Sequence, residues 1–506
     1  MLTSFFKAVF SKSIVHSKPS PTRKKVARSP IVMCLAACVM ASSASANQLP
    51  SPSINKALKA NKINSEALSA VTIPLSGPGK SAFMNADVLI NPASTMKLVT
   101  TYAALELLGP AFQWKTEFFT DGTLKDGVLD GNLYLKGGGD PKLNMERLWL
   151  LLRDLRANGV RHISGDLILD RSHFAPPPVS VFDDDQNDQS KPFLVEPDSL
   201  LINFKSQRFI VRGESNGAQV VMEPPIGSIE LINNVKLQPA KNCNNPVISY
   251  LPQDDGHTLT VTVSGHIAPG CSTQNYLSLL DHSRYAAGIV RSIWQEMGGT
   301  ILGNDMLGQT PKDARLLVRA YSPDLVEVIR DINKYSNNTM AKQLFLTIGA
   351  RFRNAADSDD AAAARRVIND LFIKKKIATY GLIVENGSGL SRKERISARQ
   401  LGMMLEAAWK GPYAAEFISS LPIVAMDGTM RRRLRNSQLA GQAHIKTGTL
   451  NNVRAIAGFS RDINGDAWAV VAIINHPQPW GASAILDQVL LDIFSQPKRT
   501  GNNLAR

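Results

Sequence analysis

Apolar residues recur along this chain with two different periods, one typical of helices and one of strands. The segment from Asn91 to Gly109 has helical spacing, begins at an Asn-Pro pair and stops at a Gly-Pro pair, as helix termini commonly do. Near the other end, Ile485, Val489 and Ile493 are four residues apart and place an apolar stripe on one helix face. The pattern predicts helices near both ends of the chain.

Strand-like segments fill the middle of the chain and return near its end. Between Phe118 and Tyr134 short alternating runs are separated by three Asp-Gly pairs, which are typical of hairpin turns. The stretch from about 205 to 265 is dominated by strand-like runs. Two further apolar runs, Arg454–Phe459 and Ala467–Asn475, are joined across an Asn-Gly pair, which predicts an antiparallel hairpin.

This order predicts an α/β fold in which one domain is interrupted by another. Residues 47–114 plus 285–500 carry the helices and the final hairpin, and we expect them to form one domain with an antiparallel sheet between helices. Residues 115–284 form an inserted β-rich region of two subdomains, one of them nested at about 205–265. An insertion explains the change of pattern better than one continuous fold.

The first 46 residues have the composition of a secretory signal peptide. They contain seven basic residues and no acidic one, followed by an apolar run from Ile31 to Ala41 and a small-x-small pattern ending at Ala46. The run is too short to span a bilayer as a stable helix. We expect cleavage after Ala46 and a periplasmic location. The alternative interpretation is a lipoprotein signal, because small residues precede Cys38.

The amino-acid composition limits the kinds of molecule that we expect the protein to bind. The 506 residues are 44% hydrophobic and 20% charged, as is ordinary for a globular protein. The formal charge of +14 falls to about +7 without the seven basic leader residues. No clustered basic stripe with interleaved aromatics occurs, which disfavours nucleic-acid binding. A mild excess of positive charge suits weak peripheral association with an anionic wall polymer or membrane surface. The composition does not indicate an oligomeric state.

Two cysteines remain after removal of the leader, Cys243 and Cys271. In an oxidising compartment we expect them to form a disulfide; the alternative is two free thiols. The eight histidines include no His-x-x-x-His or His-x-His pair, so a zinc enzyme is disfavoured, and the sequence predicts neither a metal site nor a cofactor.

The string Ser94-Thr95-Met96-Lys97 is the first candidate for chemistry. Serine and lysine three apart share one helix face, and a serine hydroxyl needs a neighbouring base to become a nucleophile. Burial can make lysine that base by lowering its pKa. The pattern alone is weak, because four Ser-x-x-Lys strings occur and an exposed polar face is the alternative. Only Ser94 is followed by a well-delimited helix.

Two further strings can complete such a site. Ser336-Asn337-Asn338 offers a second hydroxyl to relay a proton and an amide to orient a peptide carbonyl; the alternative is a polar turn. Lys446-Thr447-Gly448 lies on a strand-like run and offers a cation and a hydroxyl to a carboxylate, with a glycine that allows close backbone approach. Its alternative is an ordinary turn at a strand end.

Together and in this order, the three strings resemble the motif set of penicillin-binding proteins and class A β-lactamases. The spacing of 242 residues from Ser94 to Ser336, then 110 to Lys446, is similar to the D-alanyl-D-alanine carboxypeptidase/endopeptidase family, the class C low-molecular-mass penicillin-binding proteins (penicillin-binding protein 4 type, peptidase family S13). That family carries large insertions at this point. The resemblance covers residues from about 60 to 495.

The resemblance implies a serine transpeptidase/β-lactamase-like catalytic domain and a role for each motif residue. Ser94 attacks the carbonyl between two D-alanines and Lys97 takes its proton. Ser336 passes a proton to the leaving amine, and Asn338 holds the acyl side. The resemblance implies that Lys446 and Thr447, beside Gly448, bind the terminal carboxylate or support the proton relay, and that the backbone N–H groups of Ser94 and Thr449 form the oxyanion hole. It leaves open which amine acts as the base in acylation.

The implied substrates are peptidoglycan stem peptides and cross-links, with acylation by β-lactam antibiotics. A β-lactamase is one alternative, but no Glu-x-x-x-Asn string for a deacylating glutamate occurs between Ser336 and Lys446. The other alternative is a catalytically weak scaffold that binds the cell wall.

Overall fold

The structure, a computed structural model, describes residues 49–178, 190–244 and 246–496. The predicted leader, residues 1–46, and Cys38 lie outside these ranges. In chain order, the helices within them are α1 (Pro52–Ala60), α2 (Lys97–Leu108), α3 (Met145–Ala157), α4 (His282–Glu296), α5 (Leu325–Tyr335), α6 (Asn338–Phe352), α7 (Asp360–Lys374), α8 (Ala398–Lys410), α9 (Ala414–Ser420) and α10 (Ala482–Phe494). None of these helices is both long and apolar enough to cross a membrane.

The strands of the same ranges are short, and most of them pair antiparallel. They are β1 (Leu68–Pro74), β2 (Ala82–Met84), β3 (Leu89–Ile90), β4 (Lys115–Thr120), β5 (Thr123–Lys125), β6 (Val128–Asp130), β7 (Leu133–Gly137), β8 (His162–Ile163), β9 (Leu167–Asp170), β10 (Gln207–Glu214), β11 (Gly217–Glu223), β12 (Ile229–Leu237), β13 (Val247–Asp254), β14 (Leu259–Ile267), β15 (Ser272–Leu277), β16 (Thr300–Ile301), β17 (Asp305–Leu307), β18 (Arg315–Tyr321), β19 (Ile396–Ser397), β20 (Ala443–Leu450), β21 (Val453–Arg461) and β22 (Ala467–Asn475).

A five-stranded antiparallel sheet with the order β2-β1-β22-β21-β20 forms the centre of the catalytic half. Both of its faces are buried, which the central strand β22 shows directly. Val471 and Ile473 belong to one apolar core, while Val470 and Ile474, which point to the opposite face, belong to another. The sheet is therefore covered by helices on two sides, which explains why its strands are nearly all apolar rather than alternating.

Different helices cover the two faces. On one face α1 and α10 pack together and against the sheet, and the predicted stripe of Ile485, Val489 and Ile493 is wholly buried there. On the other face α2, α5, α6 and α8 form the larger core. Strand β20 lies at the edge of the sheet. Residues 422–424 bond to its first residues, and the outer side of its backbone beyond Ile445 is available to a ligand.

The inserted region has its own core, built on sheets of the order β17-β9-β7-β4-β18 and β16-β8-β6-β5. The expected end of this region at residue 284 is wrong. Helix α4 is buried in the inserted core, and β16, β17 and β18 pair with strands of that region, so the insertion runs to Tyr321. The helical period of α4 shows that one face is buried but not which sheet covers it.

The nested part of the insertion consists of two three-stranded sheets, with the orders β11-β10-β15 and β12-β14-β13. Their strands run from Gln207 to Leu277, beyond the expected limit near 265. Cys243 and Cys271 are joined by a disulfide with Cα atoms 5.4 Å apart. The bridge connects the loop between β12 and β13 to the start of β15.

Candidate active site

Ser94 lies in a short 3₁₀ turn, Ala93–Met96, that leads directly into α2. The side chain of Asn91 accepts the N–H of Ala93 at 2.9 Å, just before the turn. Ala93 has a φ of +48°, a left-handed conformation that is costly for a residue with a side chain. The predicted helix therefore begins with a constrained turn, which presents Ser94 at its start.

Lys97 is wholly buried one turn after Ser94. Its Nζ donates to the Oδ1 of Asn338 at 2.7 Å and to the carbonyl oxygen of Ser388, and it lies 3.0 Å from the Oγ of Ser94. Burial lowers the pKa of Lys97 to about 7, although the field of Glu394 opposes this shift. Near neutral pH the amine is therefore available as a base.

Ser336 occupies the junction between α5 and α6, where its φ of +57° breaks the helical path. The next residue, Asn337, caps α6 by accepting the N–H of Met340, and α6 then begins with Asn338. Lys446 is wholly buried on β20 and donates to the Oγ of Ser336 at 2.8 Å. Burial, and secondarily the charge of Lys97, hold the pKa of Lys446 well below its usual range.

Strand β20 directs alternate backbone groups to the open edge of the sheet. The N–H of Ile445 bonds to Pro422, on the side away from β21, so the backbone groups of Thr447 and Thr449 point the same way. The carbonyl of Thr447 points away from β21, and it accepts a hydrogen bond from the Nζ of Lys446 at 2.8 Å. The N–H of Thr449 is thereby left on the edge that borders the site.

The side chain of Thr447 is also held in place, because its Oγ1 lies 2.8 Å from the Oγ1 of Thr429. Gly448 of the same strand packs against the turn that carries Ser94. It is buried, and a Cβ there would lie 2.8 Å from the carbonyl oxygen of Pro92 and 3.1 Å from the Cβ of Ala93. Glycine is needed at 448 because the turn that carries the serine packs directly on β20.

The structure thus brings Ser94, Lys97, Ser336, Asn338 and Lys446 into one contiguous hydrogen-bonded group. Sequence reasoning missed a second set of residues that supports this group: the carbonyl of Ser388, the buried carboxyl of Glu394 and the buried amine of Lys342. A carbonyl oxygen such as that of Ser388 leaves no signal in the residue type. Glu394 lies in the charged string Arg392–Arg395, which resembles a solvated surface.

A cavity of about 540 Å³ begins at this site and extends towards the inserted region. Tyr335, Ser336 and Asn338 line it on the catalytic side, and residues of the inserted region, including Phe204 and Tyr276, line it on the other. The insertion therefore forms one wall of the space beside the reactive groups, and the site can take a ligand that extends well beyond them.

The model of the D-Ala-D-Ala carboxypeptidase 3 (S13) family matches residues 53–490. The chain belongs to this family. The three motif strings of this S13 chain all lie within the matched range.

Individual relatives agree with this assignment. The D-alanyl-D-alanine carboxypeptidase DacB of Haemophilus influenzae is 26% identical over 402 residues, which cover 77% of this S13 chain and 81% of the relative. A D-alanyl-D-alanine carboxypeptidase of Actinomadura sp. (strain R39) is 28% identical over 400 residues, covering 75% and 72%.

The crystal structure of penicillin binding protein 4 (dacB) from Haemophilus influenzae has the same fold. It superposes with a TM-score of 0.73 at 23% identity, over 88% of this S13 chain and 99% of that chain. The predicted fold class, a transpeptidase-like α/β domain with large insertions, is confirmed. Family membership also confirms the prediction of a serine-type hydrolase, a peptidoglycan-acting D-Ala-D-Ala carboxypeptidase.

Gly389 offers a test of how tightly this S13 site is packed. Its φ is +80°, and a Cβ would lie 1.9 Å from the carbonyl oxygen of Ala93. We expect Gly389→Ala to lower the free energy of unfolding by about 1–3 kcal/mol or more and to slow penicillin acylation at least about tenfold, because the Ser94 turn must move. Thermal unfolding and labelling rates measure the two effects.

Gly270→Ala is the matched control, since Gly270 has a φ of +77° with open space around its Cβ position. This variant carries the backbone cost alone, and we expect it to acylate at the normal rate. Equal acylation rates in the two variants would contradict the close packing of the turn on Gly389.

Proposed function

We propose that the chain cleaves the bond between two D-alanines in peptidoglycan, as D,D-carboxypeptidase and D,D-endopeptidase, through an acyl-serine intermediate. The observation that carries this proposal is the set of partners around the Nζ of Lys97. Two acceptors, Asn338 Oδ1 and the Ser388 carbonyl, take N–H groups, and the Oγ of Ser94 lies 3.0 Å away. A neutral amine has two N–H groups and one lone pair, so the lone pair is left for the hydroxyl proton of Ser94.

The first step forms the bond between Ser94 Oγ and the carbonyl carbon, and the proton passes to Lys97. The carbonyl oxygen becomes an oxyanion, which the N–H groups of Ser94 and Thr449 can stabilise. The Ser94 group belongs to the first helical turn, where N–H groups lack intrahelical partners, and the Thr449 group points to the open edge of β20. Each donor of this kind contributes about 3–4 kcal/mol to stabilisation of the transition state.

Collapse of the tetrahedral intermediate breaks the carbon–nitrogen bond, and the leaving amine then needs a proton. Ser336 is suited to deliver it, because its Oγ is bonded to the Nζ of Lys446 at 2.8 Å. The amide of Asn338, already bonded to Lys97, is placed to orient the acyl side. Water then hydrolyses the Ser94 ester and regenerates the free serine.

Recognition of the substrate's terminal carboxylate falls to the open edge of β20. Thr447, with Thr429 beside it, offers hydroxyl groups there, and the N–H groups of the Lys446 amine lie next to them. The cavity of about 540 Å³ beside Ser336 leaves room for a second peptide stem, which supports the endopeptidase activity. A β-lactam presents an amide that is strained by its four-membered ring, together with a carboxylate, so we expect it to acylate Ser94.

We further propose that the enzyme works in the periplasm after removal of residues 1–46. The disulfide between Cys243 and Cys271 supports an oxidising compartment. Lipid attachment at Cys38 is the alternative outcome, and the mass of the mature N-terminus distinguishes the two. The mild positive charge suits peripheral association with the wall or the membrane surface.

Digestion of purified muropeptides tests the proposed activity. We expect release of free D-alanine from monomers with a pentapeptide stem and conversion of cross-linked dimers to monomers, both blocked by prior exposure to penicillin. A fluorescent penicillin should label the protein covalently, whereas nitrocefin should be hydrolysed slowly. Rapid, sustained nitrocefin turnover would indicate a β-lactamase instead, and binding to cell wall without labelling or digestion would indicate a scaffold.

A further inference from the structure

Two threonine hydroxyl groups meet at the edge strand β20. The Oγ1 atoms of Thr447 and Thr429 are 2.8 Å apart, and both side chains are partly exposed. In the described part of the chain neither hydroxyl group has another hydrogen-bond partner. Each hydroxyl group has one hydrogen, and only one of the two hydrogens lies between the oxygens. The pair therefore retains one O–H group that can donate to a ligand, whichever threonine donates to the other.

The turn that carries Thr429 is closed by the carboxylate of Asp427. Its Oδ1 accepts the N–H of Ile423 at 2.7 Å. In the opposite direction, the N–H groups of Met426 and Asp427 donate to the carbonyl of Ile423 at 3.1 and 3.2 Å. The short 3₁₀ turn Gly428–Met430 follows directly. The position of the Thr429 hydroxyl therefore depends on the Asp427 side chain.

The other oxygen of Asp427 connects this turn to α5. Its Oδ2 accepts from the Nζ of Lys334 at 2.6 Å. Lys334 is buried and lies two residues before Ser336. Backbone packing reinforces the connection, because a Cβ at Gly428 would lie 2.6 Å from the carbonyl oxygen of Lys334. An ion pair and a close backbone contact thus hold the Thr429 turn against the end of the helix that leads to Ser336.

A second connection joins the same two places through β20. The Nζ of Lys446 donates to the Oγ of Ser336 at 2.8 Å, and Lys446 directly precedes Thr447. The two connections form a closed ring, which runs through Ser336, Lys446, Thr447, Thr429, Asp427 and Lys334. The ring fixes the hydroxyl pair relative to the Oγ of Ser336 from two sides.

This spacing matters for the reaction because of the covalent structure of the substrate. In a D-Ala-D-Ala peptide the nitrogen of the scissile amide and the terminal carboxylate are attached to the same carbon atom. The same is true of the β-lactam nitrogen and the carboxylate of a penicillin. A carboxylate bound by the hydroxyl pair therefore places the leaving nitrogen at a set position relative to Ser336, and such fixed geometry favours proton transfer to that nitrogen.

We propose that Thr429 is a specificity-determining residue for substrates with a carboxylate beside the scissile amide, and that Asp427 and Lys334 are positioning residues that keep the Thr429–Thr447 hydroxyl pair in register with Ser336. This inference rests on the proposed function, because it takes β20 as the carboxylate subsite and Ser336 as the proton donor. Asp427 and Lys334 touch no substrate and act through the hydroxyl pair.

A pair of acylating compounds tests the inference: benzylpenicillin and its methyl ester, which lacks the charged carboxylate. The measured quantity is the preference, defined as the ratio of the two second-order acylation rate constants, obtained by competition with a fluorescent penicillin. Valine has nearly the shape of threonine but no hydroxyl group. We expect Thr429→Val to lower the preference at least about tenfold, since a hydrogen bond to a charged group is lost. Thr429→Ser should recover most of it.

Thr447→Val should lower the preference by a similar factor. The double variant of Thr429 and Thr447 should be no worse than the more damaging single variant, because the two hydroxyl groups act as a unit. Thr262→Val is the control, since Thr262 is a partly exposed threonine on β14 of the inserted region. We expect it to keep the native preference.

Asp427→Asn tests the positioning pair. An asparagine oxygen can still accept the N–H of Ile423, but the ion pair with Lys334 is lost. We expect the preference to fall about threefold to tenfold, and Lys334→Met should have an effect in the same direction. Asp305→Asn is the matched control, because the Asp305 side chain is also 39% exposed and pairs with Arg291 at 2.7 Å in the inserted region. It should keep the native preference, and thermal unfolding shows that each variant is folded.

The outcomes separate this inference from the proposed function. A native preference in Thr429→Val would overturn the specificity role, and a native preference in both Asp427→Asn and Lys334→Met would overturn the positioning role. Equal slowing of acylation by both compounds would also overturn the inference, since a merely structural disturbance does not distinguish them. If the native protein is not acylated by benzylpenicillin, the proposed function itself fails.

Discussion

Ser94→Ala is expected to abolish covalent labelling by fluorescent penicillin and to reduce D-alanine release by about 10⁴-fold or more, because no acyl-enzyme can form without the hydroxyl oxygen. The remaining groups of the site, Lys97 and Lys446 among them, keep their positions, so reversible binding of substrate should survive. Gel fluorescence after penicillin treatment measures the first effect, and amino-acid analysis of digested muropeptides the second.

Ser53→Ala is a matched control, because Ser53 begins another Ser-x-x-Lys string in the same chain. That serine lies on α1, where its hydroxyl donates to the carboxylate of Asp492, on the far face of the central sheet. We expect fluorescent penicillin to label the Ser53→Ala variant at the native rate. Labelling of Ser94→Ala at a comparable rate would mean that another residue carries the acyl group.

This contrast shows how far sequence reasoning reaches. The string pattern alone does not separate Ser94 from Ser53, which also follows a proline at the start of a helix; the order of the three strings does. The helix over residues 97–108 and the hairpin of β21 and β22 follow from local periodicity and turn residues. These are short-range features, and the sequence expresses them directly.

What the sequence could not express is which distant surfaces meet. Helix α4 has an amphipathic pattern that fits either core, and only its contacts assign it to the inserted region. The sequence also does not show that Gly448 packs against Pro92, on the turn that carries Ser94. Both outcomes depend on contacts across more than a hundred residues, which no local pattern contains.

The supporting residues of the site were hidden for a different reason. Glu394 and Lys342 are charged, and a charged residue in a helix or loop is usually solvated. Their burial becomes reasonable only in the folded structure, where Lys342 pairs with Glu196 and the Glu394 carboxyl accepts two backbone N–H groups, because buried charges persist where opposite charges and hydrogen bonds offset desolvation. The sequence predicts the reactive groups of this site, whereas the buried residues that support them are identified only from the folded structure.

Lys97→Met is expected to slow acylation by about 10²- to 10⁴-fold, the usual contribution of a general base, while the protein remains folded. Methionine has a similar length and no titratable group, so it fills the buried position of Lys97 without a charge. Lys446→Met is the informative companion. If it abolishes acylation while Lys97→Met retains the native rate, the base is Lys446 and the assignment is reversed.

The pH dependence of protein stability provides an independent test of the pKa of the buried Lys97 amine. The pKa of Lys97 is about 7 in the folded protein and about 10.4 in an unfolded chain, so between these values the unfolded state binds more protons. The contribution of Lys97 to the free energy of unfolding therefore rises with pH across this window, by up to about 1.4 kcal/mol per pH unit. Below pH 7 its burial is fully destabilising.

Lys97→Met removes that dependence, so its stability relative to the native protein should be highest near pH 7 and should decline steadily towards pH 10. Loss of the hydrogen bonds to Asn338 and Ser388 lowers the whole curve but does not change its slope. Unfolding temperatures measured at intervals over this range test the point. A difference that does not vary with pH would mean that Lys97 keeps an ordinary pKa when folded, and an amine that stays protonated cannot accept the proton of Ser94.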